Sequence, residues 1–161
     1  MKRISYLLIS FVLLMGIVAC TGYKPIFSTT NLKFKISDYS IVGDKKIGNK
    51  IYKQLHNLSK ANKDNNEVKN IQLLINILKE KNSTTKDKTG KILAYKISLT
   101  TNIILKDFSS GKEILNQNFS YSASFDVQDQ YSETIKLENK SIENLLDKTY
   151  KELLIKLSER I

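Results

Sequence analysis

Three stretches in the C-terminal two-thirds of the chain alternate between hydrophobic and polar residues. The apolar side chains occupy odd-numbered positions, which is the period of a strand with one buried face. Alternation of this length predicts an antiparallel sheet that is apolar on one side only. The apolar positions are Ile71, Leu73, Ile75 and Ile77 in the first stretch, Leu93, Tyr95, Ile97, Leu99, Ile103 and Leu105 in the second, and Leu115, Phe119, Tyr121, Phe125 and Val127 in the third.

The segments between these stretches predict how the strands connect. Residues 107–111 (Asp-Phe-Ser-Ser-Gly) have the composition of a short turn, so the second and third strands are expected to form a hairpin. Residues 82–90 are rich in Lys and Thr and predict a longer loop between the first two strands. The Asn-rich residues 61–70 predict a polar turn region before the first of them.

One more strand is predicted over residues 33–41, ahead of that turn region. Phe34 and Ile36 share one face of it, whereas Tyr39 and Ile41 fall on the opposite parity. A bulge that inserts one residue produces such a change of face, and so does an early end of the strand.

Two segments repeat their apolar residues at steps of three and four, which is the pattern of an amphipathic helix. The first follows Asp44, a residue type that caps helix N-termini, and runs to about residue 61. The second runs from Ser132 or Thr134 to residue 161. The stripes are Ile47, Ile51, Leu55 and Leu58 in the first helix, and Ile135, Ile142, Leu145, Leu146, Leu153, Leu154 and Leu157 in the second.

The element order is therefore β-α-β-β-β-α, within a single domain of residues 33–161 that is long enough to bury one core. A sheet with one apolar face needs a cover, and two amphipathic helices on that face supply it. We predict an α+β fold, a two-layer sandwich in which a four-stranded sheet carries two helices on one face.

The N-terminus has the pattern of a bacterial lipoprotein signal. Lys2 and Arg3 precede an apolar run, and the small residue Ala19 stands directly before Cys20. A transmembrane helix is the alternative, but the run from residue 4 to 18 is shorter than the roughly 20 residues that a bilayer requires. We predict a signal peptide over residues 1–19, lipidation of Cys20, and a tether over residues 20–32 that anchors the domain to a membrane.

The charge of the chain is strongly positive and comes almost entirely from lysine. The formal net charge is +10, and arginine occurs only at Arg3 and Arg160. Nucleic-acid-binding proteins rely on the planar arginine fork, so we expect no nucleic-acid partner. Anionic lipid head groups and phosphorylated glycolipids are the polyanions that an exported protein meets. The alternative is a coding bias toward lysine, in which case the charge only solvates the surface.

The segment Cys-Thr-Gly-Tyr-Lys-Pro-Ile-Phe at residues 20–27 resembles the start of mature LptE, the lipopolysaccharide-assembly lipoprotein of the outer membrane. Many members have cysteine, glycine, an aromatic residue, a basic residue, proline and an aliphatic–aromatic pair there; Thr21 is an insertion. In bacterial lipoproteins, a residue such as Thr21 in place of an acidic one also favours the outer membrane. The resemblance implies a plug inside the LptD β-barrel that assists assembly of the barrel, binds lipopolysaccharide and helps deliver it to the cell surface.

The face of the predicted hairpin opposite the apolar one is polar but nearly uncharged. In a chain this rich in lysine, such a face suits a water-mediated contact with the polar lumen of a large barrel. The alternative is that Ser and Thr merely satisfy strand propensity on a solvated face. The candidate barrel contacts are Ser98, Thr100, Asn102, Asn116, Asn118, Ser120, Ser122 and Ser124.

Five lysines lie in or beside the predicted loop at residues 82–90, which connects the first and second alternating strands. Lysine tolerates many phosphate geometries, so these residues are candidates for contact with lipopolysaccharide. The alternative is a solubilising hairpin tip. The candidates are Lys79, Lys81, Lys86, Lys88 and Lys91.

Catalytic chemistry finds little support in the sequence. His56 is the sole histidine, Cys20 is the sole cysteine, and no glycine-rich phosphate loop occurs. We therefore expect a binding and assembly protein with no cofactor or metal, and not an enzyme. Two alternatives remain open: a periplasmic accessory lipoprotein of an ABC-type lipid-transport system, and a structural envelope lipoprotein.

Overall fold

The computed structural model describes residues 32–61 and 68–160 of the chain. The predicted signal peptide, Cys20, the tether before Leu32 and most of the turn region at 61–70 lie outside these residues. The elements are β1 (Phe34–Gly43), α1 (Lys45–Ala61), β2 (Lys69–Lys86), β3 (Ile92–Asp107), β4 (Glu113–Asp126) and α2 (Tyr131–Ser158). This confirms the predicted order β-α-β-β-β-α.

The sheet has the strand order β1-β2-β3-β4 and is mixed rather than purely antiparallel. β2 pairs antiparallel with β3, and β3 with β4, as predicted. β1 instead runs parallel to β2, with Phe34 opposite Lys69. The sequence pattern made no prediction for the direction of this strand; α1 returns the chain to the end of the sheet at which β1 began, which is the usual crossover between parallel strands.

A bulge in β1 accounts for its change of parity. The pairing with β2 shifts between Ile36 and Asp38, after which Tyr39 lies opposite Leu73 and Ile41 opposite Ile75. Leu73 and Ile75 face the core, so the extra residue turns Tyr39 and Ile41 to the same side as Phe34. Of the two explanations that the sequence allowed, the bulge is confirmed and the early end is wrong, because the strand continues to Gly43.

Both helices cover the same face of the sheet and form one core with its odd-numbered residues. Asp44 caps α1 as predicted, since its Oδ1 accepts a hydrogen bond from the Ile47 backbone N–H at 3.1 Å. The two-layer sandwich is thereby confirmed. The largest fully buried side chains are Phe34, Ile51, Leu55, Ile71, Leu73, Ile75, Ile97, Leu99, Ile103, Leu105, Leu153 and Leu157.

The alternation fails at the start of β3. Leu93 was expected on the apolar face but is 42% exposed, whereas Ala94 is buried. The pairing between β2 and β3 shifts twice in this region, on either side of Thr85. Each shift inserts a residue, so parity along β3 no longer predicts which side chain is buried.

Gly43, which ends β1, is the position where an added methyl group is expected to destabilise the fold most directly. Its φ is +87°, and a Cβ there would stand 1.8 Å from the Ile77 carbonyl oxygen. Left-handed backbone costs a non-glycine residue about 1–2 kcal/mol, and overpacking adds about 1–3 kcal/mol. Gly43→Ala should therefore lower the free energy of unfolding by about 3 kcal/mol, measured by urea denaturation.

Gly90 provides the matched control for this substitution. Its φ is +88°, but no atom lies within 4 Å of the added Cβ. Gly90→Ala should cost only the backbone term of about 1–2 kcal/mol. Equal losses in the two variants would contradict the close packing of β1 against β2 at Gly43.

Candidate interaction surfaces

The sheet face opposite the helices carries the predicted hydroxyl–amide residues. Ser98 lies opposite Ser122, and Thr100 lies opposite Ser120. The Thr100 and Ser120 hydroxyl oxygens are 3.3 Å apart, which shows that they share a face. All eight candidates have the even parity of this face and are exposed or half-buried: Ser98, Thr100, Asn102, Asn116, Asn118, Ser120, Ser122 and Ser124.

Side-chain hydrogen bonds across β3 and β4 and within β4 order part of this face. Asn102 Nδ2 donates to Asn116 Oδ1 at 3.2 Å, so the amides are held as a pair. Asn116 in turn donates to a Glu113 carboxylate oxygen at 3.3 Å. These groups retain free donors and acceptors, because a side-chain amide offers two N–H groups and a carbonyl. We use the name open face for the whole side of the four-stranded sheet that the helices leave uncovered, including the eight candidate residues.

The open face also has an aliphatic part that the sequence reasoning missed. Val42 of β1 and Leu78 of β2 are 59% and 57% exposed. Leu74 pairs with Ile104, and both are half-buried on the same side. The available signal was parity, since Leu74, Leu78 and Ile104 are even-numbered in strands whose core residues are odd. The open face is thus polar across β3 and β4 and more aliphatic toward β1 and β2.

The long hairpin of β2 and β3 extends beyond β1, whereas β4 accompanies β3 as far as Ala94. β1 ends at Gly43 opposite Ile77, but β2 continues to Lys86. The expected loop at 82–90 is therefore wrong for its first half: residues 82–86 are strand, and the turn is confined to residues 87–90. β2 continues through these residues because they pair with β3, for example Asn82 with Lys96. Their sequence shows no apolar alternation that would predict a strand.

The structure divides the five candidate lysines into two groups. Lys79 and Lys81 point to the helix side, where Lys79 Nζ is 3.6 Å from an Asp44 oxygen and Lys81 Nζ is 2.6 Å from a Glu138 oxygen. Lys81 Nζ also lies 4.3 Å from the Tyr95 ring centroid, a cation–π contact. These two ammonium groups already have partners within the domain.

The other three lysines lie around the hairpin turn, and we call them the tip lysines: Lys86, Lys88 and Lys91. Asp87 builds this turn, since its Oδ1 accepts hydrogen bonds from the backbone N–H groups of Thr89 and Lys91 at 2.8 and 2.9 Å. The bond from the Thr89 hydroxyl is the largest cause that holds the pKa of Asp87 below its usual range. The carboxylate is thus turned toward the backbone rather than paired with a lysine ammonium group.

His56, the sole histidine, lies at one end of an aromatic stack between β1 and α1. The Tyr39 and Tyr52 ring centroids are 3.9 Å apart, and the Tyr52 and His56 centroids are 5.4 Å apart. Within residues 32–61 and 68–160, no three His, Cys, Asp or Glu side chains gather as metal ligands. The expectation that the protein is not an enzyme stays a prediction. No helix in the described ranges combines the length and hydrophobicity needed to cross a bilayer.

Comparison with solved structures identifies the fold as one found in bacterial lipoproteins. A minor lipoprotein from Acinetobacter baumannii superposes with a TM-score of 0.56 at 12% identity, over 80% of this chain and 92% of that one. Lipoprotein B from Nitrosomonas europaea gives 0.56 at 14% identity, over 83% and 88%. Rare lipoprotein B from Shewanella oneidensis gives 0.51 at 13% identity, over 76% and 94%.

The chain shares its fold with bacterial lipoproteins. No protein-family model matches the sequence, and no curated protein matches it either. At identities of 12–14% the likeness extends to the fold alone.

Proposed function

We propose that the chain is an LptE-like outer-membrane lipoprotein that assists assembly of an LptD-type β-barrel and plugs it for lipopolysaccharide delivery. The observation that carries the proposal is the open face, a charge-poor hydroxyl–amide surface on the side of the sheet that the helices leave free. Support comes from the lipoprotein fold and from the LptE-like segment that starts at Cys20. Lipidation of Cys20 anchors the domain on the periplasmic side of the outer membrane.

The chemistry of the open face suits the inside of a barrel. Hydroxyl and amide groups both donate and accept hydrogen bonds, so they match a polar lumen directly or through bridging waters. Exposed Val42 and Leu78 add an aliphatic patch beside them. Protein–protein contacts usually combine apolar groups with hydrogen-bonding groups.

Affinity capture tests the barrel contact directly. The tagged mature protein should retain an LptD-type barrel from detergent-solubilised outer membranes. Depletion of the protein should then reduce correctly oxidised barrel and surface lipopolysaccharide together. Intact surface glycolipid with altered phospholipid traffic would instead indicate the accessory lipoprotein of a lipid-transport system.

The tip lysines are the proposed contact with lipopolysaccharide phosphates. A lysine near an anionic lipid surface contributes about 1 kcal/mol, or roughly fivefold in affinity. Replacing Lys86, Lys88 and Lys91 together by glutamine should therefore weaken lipopolysaccharide binding by about 100-fold at low salt, and less at high salt. Binding of the purified mature protein to labelled lipopolysaccharide measures this.

The paired lysines provide the control for that experiment. Lys79→Gln with Lys81→Gln should leave lipopolysaccharide binding nearly unchanged, because their ammonium groups face Asp44 and Glu138. Circular dichroism confirms that both variants fold. Binding that responds to neither salt nor the tip substitutions would exclude the tip as the glycolipid site.

A further inference from the structure

One end of the sheet gathers features that the proposed barrel and glycolipid contacts do not use. We call it the proximal end, because β1 begins there and the chain enters from the Cys20 side. Pairing places Phe34 opposite Lys69 and Ile71 opposite Asp107, so β1 and β2 start where β3 ends. The tip lysines lie at the opposite, distal end.

Basic side chains collect at the proximal end. Arg160 lines two adjoining clefts of about 340 and 320 Å³ there, shared with Glu113 and Ile114. The carboxylates are Asp107, Glu113 and Glu159, and of these Asp107 is engaged by the Ser110 backbone N–H at 2.7 Å. Lys156 Nζ pairs with a Glu159 oxygen at 3.2 Å. The other basic residues outnumber the remaining carboxylates: Lys33, Lys35, Lys69, Lys112 and Arg160.

An exposed aromatic residue projects from the same end. Phe108 is 53% exposed in the turn between β3 and β4, and its backbone N–H donates to the Asn70 carbonyl at 2.9 Å. The turn is thus fixed to β2 while the ring remains outside the core. At the distal end the turn at residues 87–90 (Asp-Lys-Thr-Gly) carries no aromatic residue, and the exposed aromatic residue there is Tyr131 at the start of α2. An aromatic ring among cations is the composition of surfaces that enter the head-group region of a bilayer.

The connection to Cys20 is short compared with the sheet. Leu32 lies twelve positions after Cys20, and this stretch spans at most about 40 Å when fully extended. β3 has 16 residues and is about 50 Å long. If Cys20 is acylated, the proximal end is the part of the domain that the tether brings to the bilayer first.

We propose that the proximal end, through its basic residues and Phe108, binds the anionic phospholipid head-group surface of the membrane that holds the anchor. In a bilayer that holds no barrel, the contact would direct the sheet away from the membrane, with the distal hairpin farthest from it. The proposal rests on the proposed lipid anchor for its orientation. It adds a lipid contact by side chains that is separate from the acyl chains, the barrel and the glycolipid.

Vesicle sedimentation of the unacylated mature chain isolates the side-chain contact. A Cys20→Ser chain that starts at residue 20 keeps every core residue of the described ranges. It should bind phosphatidylcholine vesicles containing about 30% phosphatidylglycerol, but not pure phosphatidylcholine, and added salt should release it. Replacing Lys69, Lys112 and Arg160 by glutamine should weaken binding about 100-fold, and Phe108→Ser about tenfold.

The tip lysines give a matched control with the same loss of three charges at the distal end. Their replacement by glutamine should leave phosphatidylglycerol binding within about twofold. Equal weakening by both triple variants would overturn the proposal in favour of diffuse charge attraction. Binding to lipopolysaccharide alone, with no binding to phosphatidylglycerol, would overturn it as well.

Orientation is measured on the acylated protein in the same vesicles. Cys20 is the sole cysteine and carries the acyl chains, so a fluorophore on Ser109→Cys or Lys88→Cys labels one turn only. Spin-labelled lipid should quench the probe at 109 strongly and the probe at 88 weakly. Equal quenching would contradict the proposed orientation. Barrel capture without phosphatidylglycerol binding would contradict this inference but not the proposed function. Phosphatidylglycerol binding without barrel capture would contradict the proposed function but not this inference.

Discussion

Ser120→Glu combined with Asn102→Glu is expected to abolish capture of the barrel while the domain stays folded. The two residues lie on adjacent rows of the open face, since Thr100 pairs with Ser120 and Asn102 with Asn118. Burying two carboxylates in a contact without cationic partners costs several kcal/mol per charge. Such a loss exceeds what most transient interfaces can absorb, so retention should fall to background in affinity capture from solubilised outer membranes.

The fold should tolerate this double substitution because the face is solvated in the free domain. The variant loses two side-chain hydrogen bonds, one between the Thr100 and Ser120 hydroxyl groups and one between the Asn102 and Asn116 amide groups. Each contributes about 1 kcal/mol to stability. No core residue changes. Urea denaturation should therefore show a loss of about 2 kcal/mol with a single transition.

The helix layer offers a control with the same chemistry. Ser132 and Asn139 are both exposed on α2, and replacing each by glutamate adds the same two charges to the other side of the domain. This control should capture the barrel as well as the unmodified protein does. If the open-face variant is also retained in full, the face is a solvated strand surface and the barrel contact lies elsewhere.

The sequence predicts the faces of β2, β3 and β4 well because strand parity is a local property. Alternation along a single strand assigns Leu73 to the core and Ser120 to the open face without knowledge of the neighbouring strands. The same locality explains the prediction of the β1 bulge, since the parity change between Ile36 and Tyr39 is visible within nine residues of that strand.

Features that depend on distant parts of the chain were not predictable in this way. The parallel direction of β1 depends on the length and path of α1, not on the pattern of β1 itself. Residues 82–86 are strand because β3 pairs with them, although they lack alternation. The engagement of Lys81 depends on Glu138, which lies 57 positions later on α2. Residue type alone grouped Lys81 with the tip lysines, and tertiary structure separated them.

The same reasoning applies to the proximal end. Lys33, Lys69, Lys112 and Arg160 are scattered along the sequence, and nothing in their spacing suggests a common surface. Topology brings them together because β1 and β2 begin where β3 ends and α2 finishes. The net charge of the whole chain bears on solubility. The local charge at one end of the sheet bears on which charged surface that end attracts.

Cys20→Ala is the second substitution expected to have a very large effect. The thiol is the proposed acylation site, and no other cysteine occurs in the chain to replace it. Each acyl CH₂ contributes about 0.8 kcal/mol to membrane binding, and two or more chains make the attachment effectively permanent. The variant should carry no acyl mass in intact-protein mass spectrometry and should be missing from purified outer membranes.

Thr21→Ala is the matched control, because it changes the neighbouring residue and leaves the thiol in place. It should still be cleaved before residue 20, acylated and recovered in the outer membrane. A Cys20→Ala protein that still gains acyl mass would contradict the anchor. The mature form of that variant, starting at residue 20, provides a further distinction: residual binding to anionic vesicles that salt releases would come from the proximal end, because acyl chains hold a protein independently of ionic strength.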